Sequence, residues 1–427
     1  MVVRLSREFA NAIVDSRTYA DDARLHSILT QIRNETPVAW AEPDNFEPFW
    51  LVTKYEDVKA VSSQNALFPS GARQTILTSN RELAQIKAMT GGSPHHSVTL
   101  INMDGRAHKR HRLLTQSWFQ PSSLKQRVGR LKAIADASAD RMAALGGEAD
   151  FASDVAFLYP LRVIMDILGM PPEDEPLILN WTLQLLSSND PDLNLTGASS
   201  DSDPEEQLRA QFEAANQMTV YMEKIRLACI ENPGDDLGSV IANGLIDGAP
   251  IKPENAVSYY MLAATAGHDT TSASINCGMW ALTQIPELLG KLKARPELIP
   301  AFVEEAVRWA TPVKAFHRSA SADTELRGQR IGAGELLLLS YPSANRDEDI
   351  FELPFDFNIE RTENPQVSFG FGGHMCLGLH LSRMEMVVFW EAVIPRLMSV
   401  EAAGPAKLAA VTLAGGIKTL PIRFEMH

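Results

Sequence analysis

The segment that most constrains this chain is a glycine-rich turn around one cysteine, Phe369-Gly370-Phe371-Gly372-Gly373-His374-Met375-Cys376-Leu377-Gly378. Four glycines in ten residues let the backbone turn tightly and approach a flat partner closely. Helical periodicity resumes at Leu379, so Cys376 is expected just before a helix amino terminus, where free N–H groups and the helix dipole favour a thiolate. A thiolate held in this way is suited to bind a soft or borderline metal ion.

Three other interpretations of this segment are open. A buried structural cysteine would leave the glycines unexplained. A zinc site could use His374, Cys376 and His380, but no second Cys/His pair with zinc spacing occurs elsewhere in the sequence. A phosphate-binding loop would need a G-x-G-x-x-G or P-loop pattern after a strand, and the sequence has neither pattern there.

The rest of the sequence indicates a mainly helical protein. Most of its 427 residues have the 3.6-residue apolar rhythm of α-helices. Segments typical of strands are few and short, at 49–53, 336–341 and 420–424. No repeat and no interdomain linker is evident, so we expect a mainly α fold with small β-sheets in a single large domain over residues 1–427.

Charge and cysteine content limit the environment and the partners. Lys and Arg number 39 against 53 Asp and Glu, a net charge of −14, which disfavours binding to nucleic acid or to an anionic membrane. The three cysteines, Cys229, Cys277 and Cys376, are too few and too widely spaced for a disulfide framework. Without a signal-like or membrane-spanning apolar run, the sequence predicts a soluble, cytoplasmic protein.

One stretch, 187–206, is rich in turn-forming and acidic residues and lies between helical patterns at 176–186 and 207–229. It is consistent with an ordinary surface loop. It is also consistent with a mobile lid over a pocket, because long loops in compact domains are often functional. The sequence leaves both interpretations open.

A long apolar helix is predicted from about Ile251 to Gln284. Its middle reads Ala266-Gly267-His268-Asp269-Thr270-Thr271, and a glycine, an acid and two threonines are locally costly in a buried helix. This cost indicates a functional site. Alternatively, the threonines simply bond back to carbonyls one turn earlier and bend the helix.

Two charged patterns are weak when taken alone. Glu305 and Arg308 form an i, i+3 pair of a kind that is common on helix surfaces. The basic stretch 104–112 places His108 and Arg112 on one helix face, which would equally suit a solvated surface.

Together these motifs resemble the cytochrome P450 family. The cysteine segment matches its F-x-x-G-x-x-x-C-x-G haem signature at Phe369, Gly372, Cys376 and Gly378, and similarity extends from about Asn102 to the carboxyl terminus. The resemblance implies the P450 fold, haem b as cofactor, and Cys376 as the axial thiolate of the haem iron.

The resemblance also implies roles for the other motifs. Asp269 and Thr270 match the acid–alcohol pair that carries protons to bound oxygen, and Thr271 could assist them. Glu305 and Arg308 match the structural E-x-x-R motif, with Arg361 as its third member. Contacts to the haem propionates are implied for His108, Arg112, Arg318 and His374. The family often has prolines where this chain has Gly105 and Arg106, which makes the helix start less certain but not the position of His108.

Redox partners are implied as well. The sequence includes no attached flavin or ferredoxin domain, so we expect electrons from NAD(P)H to arrive through a separate ferredoxin reductase and ferredoxin. A local basic patch of Arg106, Lys109, Arg110 and Arg383 could dock an acidic ferredoxin despite the net negative charge.

The implied reaction is insertion of one oxygen atom from O2 into a C–H bond of a small hydrophobic substrate. Segments 310–316 and 339–347 are similar to bacterial members that oxidise terpineol and related monoterpenoids, so we expect a monoterpenoid or an alkyl-aromatic substrate. Positions expected to line the pocket are Ala263, Gly267, Val313, Phe316 and Ile417. A peroxide-driven enzyme and a haem sensor or carrier without turnover are alternatives; the intact Asp269–Thr270 pair argues against both.

Overall fold

The computed structural model describes residues 2–186, 190, 192–193 and 204–427. The α-helices of this part are α1 Arg7–Val14, α2 Ser16–Tyr19, α3 Asp22–Glu35, α4 Tyr55–Ser63, α5 Asn80–Met89, α6 Gly105–Gln116, α7 Pro121–Leu124, α8 Val128–Ala143, α9 Leu158–Leu168, α10 Glu175–Leu186, α11 Pro204–Glu231, α12 Leu237–Ala242, α13 Pro253–Gln284, α14 Pro286–Ala294, α15 Ile299–Ala310, α16 Tyr341–Ala344 and α17 Leu379–Val393.

The strands of the same part are short. They are β1 Val38–Ala41, β2 Phe49–Val52, β3 Glu148–Asp150, β4 Leu245–Ile246, β5 Ala249–Pro250, β6 Ala315–Ser319, β7 Thr324–Leu326, β8 Gln329–Ile331, β9 Leu336–Ser340, β10 Leu397–Ala402, β11 Lys407–Leu408, β12 Ile417–Thr419 and β13 Pro421–Met426. The prediction of a mainly α fold with small sheets in one domain is confirmed.

The largest sheet has the strand order β1-β2-β9-β6. Strands β2 and β9 are parallel, with Phe49 opposite Leu336, and the other pairs are antiparallel. All residues of β2 and β9 are buried, as expected for strands covered on both faces. Strand β9 ends at Ser340, one residue earlier than predicted, because Pro342 lies in the first turn of α16.

The central helix is α13, which begins at Pro253 and ends at Gln284, as the sequence predicted to within two residues. It packs against α9, α11, α15 and α17. Most of its buried apolar side chains belong to the largest core cluster, together with residues of α8, α9, α11, α15 and α17. A helix buried on most sides is apolar nearly all round, which explains why its sequence has no strong polar face.

Of the stretch 187–206, only residues 190, 192, 193 and the start of α11 lie within the described part, so the lid interpretation falls largely outside it. In the helices that are described, none combines the length and the apolar character that crossing a bilayer requires.

Candidate active site

The cysteine turn has the tight geometry that its glycines predict. The backbone N–H of Cys376 donates to the carbonyl oxygen of Phe369 at 2.7 Å. Gly372 has a φ of +71°, and a Cβ there would lie 2.1 Å from the carbonyl oxygen of Ser62, so only glycine fits. Helix α17 begins at Leu379, directly after Gly378 as its N-cap residue. Cys376 therefore lies just before a helix amino terminus, as predicted.

Two opposing effects act on the Cys376 thiol. Burial raises its pKa, whereas a hydrogen bond from the Gly378 N–H and the charges of Arg112 and Arg383 lower it. The net direction is upward, which differs from the expectation that the helix terminus alone would favour a thiolate. A bound metal ion overrides this balance, because a coordinating thiol loses its proton.

Four nitrogen-bearing side chains converge near this turn. The rings of His108 and His374 stack at 4.2 Å between centroids. Burial lowers the pKa of His108 to about 4, and the electrostatic effects of His374 and Arg112 act in the same direction. Arg318 is 5% exposed, and its one hydrogen bond within the described residues goes to the carbonyl oxygen of His317 at 2.8 Å. A buried guanidinium without a carboxylate contact calls for an anion.

The ring of His374 also carries an unsatisfied polar atom near the cysteine turn. His374 Nε2 is buried and has no hydrogen bond within the described residues; the Oδ1 atom of Asp104 is 3.6 Å away. The carboxylates of haem propionates would satisfy His374, His108, Arg112 and Arg318 together. These residues, with Cys376 beside them, fit a haem group.

The middle of α13 carries the acid–alcohol pair. The hydroxyl of Thr270 donates to the carbonyl oxygen of Ala266 at 2.7 Å, so the bend interpretation of the threonine describes its resting hydrogen bond. Asp269 is 6% exposed, and its Oδ2 atom has no hydrogen-bond partner within the described residues. Burial raises the pKa of Asp269 to about 6, against a smaller opposing effect from Lys314. A carboxyl with such a pKa exchanges protons readily near neutral pH.

Four of the five predicted pocket positions lie on α13, β6 and β12, and Val313 lies between α15 and β6. Val313 forms an isolated bridge with Ala414, and Phe316 on β6 meets the ring of Tyr341 edge-on at 6.3 Å. Ile417 begins β12, and its carbonyl oxygen accepts a hydrogen bond from Asn276 of α13 at 3.1 Å. Ala263 is half-buried on α13.

Gly267 has a packing reason of its own. A Cβ at this position would lie 2.3 Å from the Cδ1 atom of Ile164, so the glycine lets α13 approach α9 closely. The pocket-lining roles of Gly267, Ala263, Val313, Phe316 and Ile417 stay predictions.

The structure brings Glu305, Arg308 and Arg361 together. Arg308 donates to the Glu305 carboxylate through Nε at 2.8 Å and through Nη2 at 2.7 Å, and Arg361 Nε donates to Oε1 of Glu305 at 3.0 Å. Arg308 also donates to the carbonyl oxygens of Asn345 and Pro354, both at 2.9 Å. The cluster ties α15 to the segment that leads into the cysteine turn.

Sequence reasoning assigned no role to Glu385 or to His268. Thr271 donates to Oε1 of Glu385 at 3.0 Å, and burial raises the pKa of this carboxyl well above its ordinary value. The Nε2 atom of His268 lies 2.8 Å from the carbonyl oxygen of Phe157. The sequence does contain a signal for Glu385, which is an acidic residue within the apolar run of the helix that follows Cys376.

The basic patch is smaller than the sequence suggested. Two of its four predicted members are paired within the chain, Arg110 with Asp247 and Arg383 with Glu304. Arg106 and Lys109 are exposed, and within the described residues neither has an ion-pair partner. The reason is local, since β4, β5 and the turn between them bring Asp247 against α6.

Comparison with known proteins decides the family. The family model described as "Cytochrome P450" matches residues 13–401. The chain is a cytochrome P450. This P450 is 40% identical over 420 residues to "Cytochrome P450-terp" of Pseudomonas sp, covering 98% of each chain. It is 29% identical over 400 residues to "Linalool 8-monooxygenase" of Pseudomonas putida, covering 93% of this chain and 95% of the relative.

Solved structures agree with the fold. This P450 superposes on CYP108D1 from Novosphingobium aromaticivorans with a TM-score of 0.92 and 39% identity, over 100% of both chains. It matches cytochrome P450 CYP268A2 of Mycobacterium marinum, in complex with pseudoionone, with a TM-score of 0.86 and 31% identity over 99% of both chains. The fold is that of a P450, and the enzyme class is the haem-dependent monooxygenases.

Proposed function

We propose that this P450 hydroxylates a C–H bond of a small terpenoid, using O2 and electrons from a ferredoxin. The observation that carries the substrate class is the 40% identity to "Cytochrome P450-terp" over 98% of both chains. The match to "Linalool 8-monooxygenase", another protein named for a monoterpenoid alcohol, supports the same class. An alkyl-aromatic substrate is the second member of the proposed range.

The chain's own residues have separable tasks in this proposal. His108, Arg112, Arg318 and His374 would bind the haem propionates by charge-assisted hydrogen bonds. Cys376 would be the axial ligand, and the bound haem supplies the oxidising chemistry.

Two residues of α13, Asp269 and Thr270, would supply protons to the reaction. Burial raises the pKa of Asp269 to about 6, so this carboxyl can take up and release a proton near neutral pH, and Thr270 stands next to it with a hydroxyl that can break its bond to Ala266. This pair is what a monooxygenase needs and a haem sensor or carrier does not. The same pair disfavours a peroxide-driven reaction, which brings its own protons with the oxidant.

Electron supply is proposed to follow the route expected from the sequence, from NAD(P)H through a ferredoxin reductase and a ferredoxin in the cytoplasm. Arg106 and Lys109 are the exposed, unpaired cations of the described part of α6 and the best candidates to meet an acidic partner. The other two residues of the predicted patch, Arg110 and Arg383, already face acids within the chain.

The first experiment is an optical titration of the purified ferric protein with monoterpenes, terpene alcohols and alkyl-benzenes. A shift of the Soret band toward high spin with terpenoids, followed by turnover to an alcohol, is the expected result. A haem spectrum that responds to none of these compounds would contradict the substrate class while leaving the monooxygenase intact. A protein that carries haem but gives no product with a ferredoxin system and a binding terpenoid would contradict turnover itself.

A further inference from the structure

The most heavily satisfied buried carboxylate outside the site described above is Asp190, which is 0% exposed. Its two oxygens accept hydrogen bonds from the ammonium of Lys418 at 2.7 and 2.8 Å and from the backbone N–H of Ala410 at 2.7 Å. The backbone N–H groups of Asp192 and Leu193 also donate to Asp190, at 2.9 and 3.2 Å. One carboxylate thus connects the described residues 190, 192 and 193 to the segment that carries Lys418.

The segment 407–419, which contains β11 and β12, is pressed against α13 on its other side. A Cβ at Gly416 would lie 2.7 Å from the Cβ of Ala273, so only glycine allows this approach. Asn276 donates to the carbonyl oxygen of Ile417 at 3.1 Å. The segment 407–419 therefore contacts both α13 and the Asp190 anchor.

A small cavity lies within this arrangement, beside Asp269. Its lining residues are Phe157, Leu193, Asp269, Ala273, Ala409, Gly415, Gly416, Ile417 and Lys418. Leu193, which the Asp190 carboxylate holds through its backbone N–H, packs against the main core at this place. Asp269, whose Oδ2 atom has no partner within the described residues, belongs to the same cavity wall.

We infer that the ion pair between Asp190 and Lys418 is a positioning device for the reaction: it holds Leu193 over the cavity beside Asp269 and so limits the access of bulk water to that carboxyl. The inference rests on the proposed proton-relay role of Asp269. If this carboxyl were open to bulk water, its charged form would be better solvated and its pKa would fall toward the ordinary value of an aspartate. Within the cavity wall the carboxyl stays largely out of contact with water, since Asp269 is only 6% exposed.

The charged groups near Asp269 determine how a shift in its pKa can be interpreted. Lys314 follows α15 and lowers the pKa of Asp269, while His268 is its neighbour on α13. Lys418 lies on β12 with Asp190 and Asp192 against its ammonium. The Asp190–Lys418 pair is neutral as a whole, so removing both charges together changes the net charge near Asp269 little. A shift in the pH midpoint of Asp269 then reports a change in the hydration of its carboxyl.

The test uses infrared spectroscopy on the ferric holoenzyme. The carbonyl stretch of the protonated Asp269 carboxyl is identified by its loss in Asp269→Asn, which also separates it from the buried carboxyl of Glu385. Its pH midpoint is then measured in the double variant Asp190→Asn/Lys418→Met. Both partners are replaced because removing one alone would leave a buried charge uncompensated. We expect the midpoint to fall by about one pH unit, a tenfold loss of proton affinity.

Two single variants sharpen the result. Leu193→Ala removes the side chain proposed to shield Asp269 without changing a charge, and it should also lower the pH midpoint of Asp269. This variant tests the inference even if the double variant binds no haem. Asp192→Asn is the matched control, because Asp192 pairs with the same ammonium at 2.9 Å but its side chain is 58% exposed; it should leave the midpoint where it is. An unchanged midpoint in both the double variant and Leu193→Ala overturns the inference.

Failure of the proposed function gives a different pattern. If Asp269→Asn leaves the yield of product per electron unchanged, the relay role falls, whatever the cavity variants do. If Asp269→Asn lowers that yield while neither cavity variant moves the infrared midpoint, the relay stands and the positioning role of Asp190 and Lys418 falls.

Discussion

The Glu305 carboxylate receives two hydrogen bonds from Arg308, at 2.8 and 2.7 Å, and both side chains are 0% exposed. Arg361 and Asn364 donate to the same carboxylate, and burial is thereby compensated, so the pKa of Glu305 is lowered. Removing one partner of such a pair leaves a buried charge without compensation, which costs about 3–5 kcal/mol.

Glu305→Ala is therefore expected to destabilise the protein by at least this amount and to prevent haem incorporation, since the cluster fixes the chain that leads to Cys376. The measurements are denaturant unfolding and the haem-to-protein ratio of the purified variant. Glu297→Ala is the matched control, because Glu297 pairs with Arg295 at the surface with 67% exposure and should cost about 0–1 kcal/mol. A Glu305→Ala protein with a full complement of haem would refute the structural role.

Haem retention should depend on Arg318. Its guanidinium is buried and has no carboxylate partner within the described residues, so a propionate would be its natural counter-ion. Arg318→Met should speed haem transfer to apomyoglobin by about tenfold or more, the equivalent of one lost charge-assisted hydrogen bond. Arg330→Met, an exposed arginine on β8, is the control and should transfer haem at the wild-type rate. Equal rates for both variants would contradict the propionate contact.

How far the sequence predicted this site depended on the kind of signal. Cys376, Gly372 and the start of α17 follow from local backbone geometry, so a short motif was sufficient to predict them. The convergence of Arg361 on Glu305 is non-local, and only the family resemblance anticipated it. The anchor of Asp190 on Lys418 joins segments 228 residues apart and has no motif, so no pattern in the sequence could have indicated it.

The misjudged basic patch has a similar explanation. Arg110 appeared free because its partner, Asp247, lies in a turn far along the chain, and a sequence shows charge but not pairing. The helix terminus that favours a thiolate is visible in the sequence, whereas burial of the Cys376 thiol, which raises its pKa, is not.

Thr270 should control how electrons are used. Thr270→Ala removes the hydroxyl next to Asp269 and leaves the fold nearly unchanged, because the hydroxyl's bond is to its own helix at Ala266. We expect substrate-dependent electron consumption to continue while less product and more peroxide form. Thr283→Ala is the control: the Thr283 hydroxyl also donates to a carbonyl of its own helix, that of Trp280, and this variant should keep the wild-type yield per electron. If Thr270→Ala gives as much product per electron as wild type, the proposed role of Thr270 in proton delivery is wrong.

Asp269 should impose a pH dependence on stability. Its pKa is about 6 in the folded chain and 3.8 when unperturbed, so between these values the native state binds more protons than the unfolded state. The free energy of unfolding therefore falls as pH rises through this window, by up to about 3 kcal/mol, because a pKa difference of one is equivalent to about 1.36 kcal/mol. In the Asp269→Asn variant this side chain does not ionise, so its free energy of unfolding should not fall for this reason as pH rises.

The measurement is denaturant unfolding of wild type and Asp269→Asn at a pH of about 4 and again at about 7.5. The variant should gain stability relative to wild type at the higher pH only. Asp136→Asn, an exposed position on α8, is the control and should follow wild type at both. A variant whose stability differs from that of wild type by the same amount at both pH values would show that Asp269 is ionised throughout, contrary to its burial.

Electron delivery should depend on Arg106 and Lys109, the exposed cations of α6 that have no ion-pair partner within the described residues. The double charge reversal Arg106→Glu/Lys109→Glu places two negative charges where an acidic ferredoxin is proposed to dock, so the rate of first-electron transfer should fall by about tenfold or more at low salt. The difference from wild type should shrink as salt screens it. Stopped-flow reduction of the substrate-bound ferric protein measures both effects. Lys224→Glu, an exposed lysine on α11, changes the net charge without touching α6 and should leave the rate near that of wild type. If both variants slow reduction equally, net charge rather than this patch governs the encounter.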